Sequence, residues 1–171
     1  MTNKINIDEI LIGIKGSSLI IELDLSEYFS KENLVEYLKE YSNVDKENFF
    51  CIESEFKVYP QGSSLEEIWE RYELLSDIDE EVLYYYNKNI SSINTLLNND
   101  LYDIKNYSFY PVSPLEYAKN LIEDIRSWNG EEIPENLLNY LDYKAISNEL
   151  LINGEIIDTG NGVLILDYCN S

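Results

Sequence analysis

Thirty-three acidic side chains stand against 12 basic ones in this chain of 171 residues, a formal charge of −21 at pH 7. Self-repulsion on that scale opposes a compact state and does nothing to specify a fold. A chain that tolerates it is expected to use the charge. DNA carries one charge per ~1.7 Å of axis, so the net charge matches roughly 36 Å of duplex, about 10 base pairs, and a dimer about twice that. Charge alone points to a protein that offers itself to a partner built to hold DNA.

Disorder is the first rival reading of so acidic a chain, and it needs low hydrophobicity and few aromatics. At 44% hydrophobic and 13% aromatic, the chain has the means to fold. Simple solubility is the second rival. Asn, Ile and Tyr are abundant, as in AT-rich genomes, yet Lys is scarce where the same bias would raise it. The acidity therefore reads as selected. Cys51 and Cys169 are far apart with no CxxC spacing, which fits a reduced, cytoplasmic protein. Met1 to Ile14 carries no basic segment before an apolar run, and no stretch approaches 18 apolar residues. Anionic lipid and nucleic acid would both repel this surface, so neither membrane nor nucleic acid is an expected partner.

Along the chain, Ile5 to Ile14 and Leu19 to Leu25 read as a hairpin around Lys15-Gly16-Ser17. Ser30 caps a helix over about 31–42, and Phe49 to Tyr59 alternates as a third strand. Ser64 with Glu67 forms a capping box before Leu65, Ile68, Trp69, Tyr72 and Leu75 at helical spacing. Asp77 with Glu80 repeats the pattern, and Ser91 or Ser92 opens a third short helix ending near Asn98-Asn99. Ile104 to Tyr110 reads as a strand. Ser113-Pro114-Leu115-Glu116 starts a helix running to about Trp128, and Pro134 starts another through Leu150. Glu155–Asp158 and Val163–Tyr168 close the chain as strands.

Catalytic chemistry is hard to find. With no His, the commonest general base, triad member and metal ligand is missing. Close carboxylate pairs carry little information among so many acids. Asp77-Ile78-Asp79 lacks the glycine of a calcium loop, and Gly160-x-Gly162 lies between strands rather than before a helix. No catalytic residue, metal or cofactor is expected.

The acids themselves are patterned. Glu32, Glu36 and Glu40 recur along one helix, and Glu66, Glu70 and Glu73 along the next. Residues at that spacing stack on one face about 5–6 Å apart, where like charges destabilise an isolated helix. With Asp77, Asp79, Glu80 and Glu81 in the middle, and Glu116, Glu123 and Asp124 further on, they make up the candidate phosphate-like surface. Tyr84-Tyr85-Tyr86 must point several ways around a helix, so at least one ring is expected to be exposed.

Ile133-Pro134-x-x-Leu137-x-Asn139-Tyr140-Leu141-Asp142-Tyr143-x-Ala145, followed by Leu150, Gly154, Ile157, Thr159, Gly162 and Tyr168, resembles the C-terminal region of the ArdA antirestriction family. Ser64-Leu65-x-x-Ile68-Trp69-Glu70 resembles that family's Leu-Trp-Glu helix. The first third matches only in its strand–strand–helix–strand pattern. The family tends to carry Gly-Arg-Asp-Leu where this chain has Ser147-Asn148-Glu149-Leu150, so the role of that Arg does not carry over. The resemblance implies an α+β, elongated chain of three small subdomains. These are an N-terminal sheet with one helix (1–61), a central acidic helical part (62–100) and a C-terminal mixed part (101–171). It further implies a homodimer paired through the C-terminal part, with Tyr140, Asp142, Tyr143, Ile146 and Leu150 as pairing residues. Its target would be the DNA-binding groove of the methyltransferase core of type I restriction–modification enzymes, occupied by mimicry of bent B-form DNA.

The expectation is therefore a non-enzymatic antirestriction protein of mobile elements. A mimic aimed at another DNA-handling system, such as a CRISPR effector or nucleoid protein, is one alternative. A carboxylate-based enzyme or cation-binding protein is the other. Crowded carboxylates are further expected to have raised pKa values.

Overall fold

The computed structural model describes residues 4–128 and 130–166, with the side chain of Trp128 outside the described set. The chain is α+β and divides into two compact units, Met1–Lys105 and Asn106–Ser171.

The first unit is built on an antiparallel sheet of β1 (Glu9–Ile14), β2 (Ile20–Asp24) and β3 (Phe49–Ser54), in the order β2-β1-β3. Gly16, at φ 76°, allows the tight turn between the first two strands. In the middle strand Ile10, Ile12 and Ile14 point to the core, while Glu9 and Leu11 lie on the other face. Ile12 sits between Ile21 and Cys51, each buried. Helix α1 (Lys31–Ser42) is capped by Ser30, whose Oγ accepts from Asn33 N–H at 3.3 Å, and it buries Leu34 and Leu38. Asn43 in the left-handed region ends it.

Helix α2 (Leu65–Ser76) carries the expected capping box, with Ser64 and Glu67 bonded in both directions. Helix α3 (Glu80–Asn89) and the short α4 (Asn98–Ile104) complete the unit. Residues 62–100, expected as a central part, lie within this unit. Arg71 of α2 is only 4% exposed and binds four acceptors. Its Nε donates to Val58 O at 2.5 Å, its Nη2 to Ile93 O at 2.9 Å, and its Nη1 to Leu96 O at 2.9 Å and Asn98 Oδ1 at 3.2 Å. The guanidinium thus replaces a hydrophobic core contact with a set of satisfied carbonyls.

Several expected boundaries differ for physical reasons. The third strand ends at Ser54 rather than Tyr59, because Phe56 (φ 49°) and Lys57 (φ 54°) take left-handed backbone that no strand continues through. Within that strand a register shift opposite Leu11 and Ile12 puts Ile52 out of step, which breaks the alternation expected over Phe49 to Tyr59. Asp77 ends α2 rather than opening α3. The cap of α3 is Asp79, whose carboxylate accepts from Glu81 and Val82 N–H at 2.8 and 3.4 Å. Ser92 precedes only a 3-10 turn, Ile93–Thr95, and the helix begins at Asn98, where one was expected to end. Ile104 therefore belongs to α4, and the following strand is Tyr107–Tyr110.

The second unit has an antiparallel sheet of β4 (Tyr107–Tyr110), β7 (Ile156–Asp158) and β8 (Val163–Leu166), in the order β4-β8-β7. Residues 167 and 168 of the expected last strand lie outside the described residues. Helix α5 (Pro114–Ile125) begins at the expected Ser113-Pro114 cap. It stops at Ile125 rather than Trp128, because Arg126 turns left-handed (φ 47°) and leads into a two-residue pair of strands, β5 (Ser127–Trp128) and β6 (Glu131–Glu132). The helix expected from Pro134 through Leu150 is two elements. A 3-10 segment, Glu135–Tyr140, is separated by Leu141 and Asp142 from α6 (Tyr143–Ile152), which Asp142 caps through Ala145 N–H at 3.0 Å. Ala118, Ile122, Ile146, Leu150, Ile156 and Val163 form the core of this unit.

Candidate partner-binding surface

Acids open the helices of both units. Glu32, Glu66, Glu67, Glu80, Glu81 and Glu116 lie in first turns, where the positive end of the helix dipole favours them. That placement turns charge into helix stability and leaves the carboxylates at the surface. Every acid of the expected surface is exposed: Glu32, Glu36, Glu40, Glu66, Glu70, Glu73, Asp77, Asp79, Glu80, Glu81, Glu116, Glu123 and Asp124.

The ridges of α1 and α2 meet around Lys31. Its Nζ lies 2.6 Å from Glu66 Oε1, and its pKa is raised first by that hydrogen bond, with the charges of Glu66, Glu32 and Glu70 adding. Lys31, Glu32, Glu36, Lys46 and Glu66, with Val35 and Leu65 between them, line one open hollow of about 270 Å³. Where the ridges converge they are therefore partly neutralised. Glu36, Glu40 and Glu70 have no ion pair among the described residues. Glu73 accepts from Trp69 Nε1 at 2.9 Å.

Four further bases pair with acids. Lys4 pairs with Glu80 and feels Glu81 and Asp79; Lys105 reaches Asp77 at 2.7 Å. In the second unit Lys119 lies 3.9 Å from Glu123, and Arg126 lies 3.6 Å from Glu135.

The expected rise in carboxylate pKa does not appear. Among the described residues the carboxyls with a clear shift all move down. Glu32 is lowered by its own backbone N–H and Ser30, Glu66 by Lys31, and Glu67 by Ser64 N–H and hydroxyl. Local donors outweigh the repulsion of neighbouring acids at these sites.

The sequence reading missed a second acidic face. On the outer side of the first sheet, Leu11 stands between Glu22 on β2 and Glu53 on β3, and Glu9 stands opposite Asp24. Asn6, Glu9, Leu11, Glu22, Glu53 and Glu55 line an open hollow of about 440 Å³ there. The alternation Glu22-x-Asp24 was the available signal, but a strand face cannot be assigned before its register is known. The Tyr84–Tyr86 run also differs from expectation: Tyr85 is 2% exposed and its neighbours are half-buried, so none is fully exposed.

Of the expected pairing residues, Ile146 and Leu150 are buried in the unit's own core, and Asp142 caps α6. Tyr143 is half-buried, its hydroxyl donating to Leu138 O at 3.0 Å, whereas Tyr140 is 85% exposed.

Among the described residues no group of three or more His, Cys, Asp or Glu side chains is arranged to hold a metal ion, and no helix is long and apolar enough to cross a membrane. The expected acids are thus exposed, many of them on capped helices, and some of the bases pair with acids. The family model described as Antirestriction protein (ArdA) matches residues 8–164, and the chain belongs to that family of antirestriction proteins, which are inhibitors rather than enzymes. No curated protein matches the chain.

Proposed function

We propose that this chain is an antirestriction protein that mimics B-form DNA and occupies the DNA-binding groove of type I restriction–modification enzymes. The observation that carries the reading is the exposure of all thirteen acids of the expected surface, several of them in i, i+4 ridges, on a chain of net charge −21. A groove that binds phosphates with Lys and Arg meets in such ridges the charge it is built for. A homodimer paired through the second unit belongs to the same reading, with Tyr140 as the exposed ring at the contact.

The test is cleavage of unmodified DNA by a purified type I enzyme, with and without the chain. Cleavage should stop at stoichiometric chain, and added duplex should restore it. Undiminished cleavage would end the reading, and a CRISPR effector assayed beside it reports the nearest alternative. Sedimentation of Tyr140→Glu should show the monomer; an unchanged dimer would move the contact elsewhere.

A further inference from the structure

One face of α1 carries aromatic rings that a phosphate-like surface does not call for. Tyr37 and Tyr41 lie one turn apart, their rings stacked at 6.1 Å, and Tyr28 packs against Tyr37 at 5.4 Å. Tyr37 is 43% and Tyr41 60% exposed. Phe29, next to Tyr28 in the chain, is 98% exposed. It immediately precedes the cap residue Ser30, a position from which an apolar ring ordinarily packs onto the fourth residue of the helix. That residue, Leu34, is buried without it. The helix therefore gains nothing local from Phe29.

These rings adjoin carboxylates. Tyr28 and Tyr37, with Asn33, Glu27, Glu36 and Glu40, line an open groove of about 350 Å³. No ion pair occupies Glu27, Glu36 or Glu40 among the described residues. Ring faces beside carboxylates suit one cation above others. A guanidinium is planar, weakly hydrated, stacks on a ring and bonds a carboxylate with two parallel N–H groups, whereas an ammonium is a compact, strongly hydrated point charge. Aromatic and Arg side chains also dominate the energetics of protein interfaces.

We propose that this aromatic groove of α1 receives an arginine side chain of the protein partner. It adds to the distributed charge a contact that distinguishes arginine from lysine. The proposal rests on the DNA-mimic reading for its choice of partner, but its chemistry can be tested without that partner.

The experiment titrates the full chain with blocked hexa-arginine and hexa-lysine peptides, following ring proton resonances and heat of binding. Hexa-arginine should bind at least about 3-fold more tightly, the advantage of one exposed cation–ring contact, and should move the Tyr37 and Tyr41 rings. The double variant Tyr37→Ala/Tyr41→Ala removes a ring that lines the groove and the ring stacked on it, both exposed, and should keep its melting temperature. It should lose the arginine preference while binding hexa-lysine as before. Glu131→Gln/Glu149→Gln, exposed acids of the second unit outside the expected surface, should keep the preference. Equal affinity for the two peptides, or a preference that survives loss of the rings, would overturn the proposal. A chain that shows the preference yet leaves type I cleavage untouched would remove the target and keep the groove. A chain that inhibits cleavage with no preference would do the reverse.

Discussion

Lys31 at the first position of α1 places its Nζ 2.6 Å from Oε1 of Glu66 in the first turn of α2. One of the chain's few cations thus ties together the starts of the two helices that carry the acid ridges. The Lys4–Glu80 and Lys105–Asp77 pairs are further ties within the first unit. These three pairs each join acids and bases from different segments of the first unit.

Replacing Lys31 by Gln should release the Glu66 carboxyl from the cation that lowers its pKa, so its titration should move up toward the ordinary range. Glu67, held down by Ser64, should titrate as before. Carboxyl carbon shifts followed against pH read both groups in one sample. An unmoved Glu66 would show that Lys31 does not reach it in solution.

Arg71→Leu should be far more damaging than any change on the ridges. It leaves the carbonyls of Val58, Ile93 and Leu96 without their donor in a site where the side chain is 4% exposed. Each buried polar group left unsatisfied costs about 1–3 kcal/mol, so a loss of roughly 3 kcal/mol or more is expected in urea unfolding. Arg71→Lys keeps the charge but not the fork, and should recover only part of it.

Alkali should destabilise the first unit. Burial pushes the Tyr28 and Tyr72 hydroxyls up to about 12, with the charge of Tyr37 adding at Tyr28 and that of Asp8 at Tyr72; burial also pushes the Cys51 thiol up to about 11. Each group is protonated in the fold at a pH where the unfolded chain has begun to lose its proton. Stability from these groups is therefore complete below about pH 9, and is lost as pH rises through 9–11 for the thiol and 10–12 for the phenols. Urea midpoints should fall across that window, and Tyr72→Phe should flatten the upper part of the slope.

Gly162→Ala should disrupt the second sheet. A Cβ there would lie 2.4 Å from the carbonyl oxygen of Tyr110 on the neighbouring strand, and backbone cannot swing aside as a side chain can. Overpacking of this kind costs about 1–3 kcal/mol. Circular dichroism and amide exchange should report loss of protection in β4 and β8 first. Unchanged exchange would mean that the strands part without cost.

Local rules made much of this fold legible in the sequence. The Ser30, Ser64 and Ser113 caps each begin a helix where read, because a cap is a matter of three or four neighbouring residues. The exposure of the ridges follows from helical spacing for the same reason. What stayed hidden depends on contacts between distant segments. The bulge at Ile52 needs the β1 partner, the acidic outer face of the first sheet needs three strands in register, and Arg71 needs carbonyls 13 to 25 residues away. The stop at Arg126 is a backbone choice with no strong residue signal, whereas the split before α6 had one in Asp142, a cap residue that the continuous helix reading passed over.

Competition between this chain and duplex DNA for a type I methyltransferase, repeated from low to high salt, tests the proposed mimicry most directly. The chain should displace duplex at one-to-one stoichiometry, and its log affinity should fall linearly with log salt, as DNA's does. Single changes such as Glu36→Gln or Glu70→Gln should barely alter the curve, since exposed charges act weakly one at a time; six ridge acids changed together should abolish displacement. Binding that leaves the duplex in place, that ignores salt, or that one carboxamide substitution destroys without unfolding the chain would contradict mimicry.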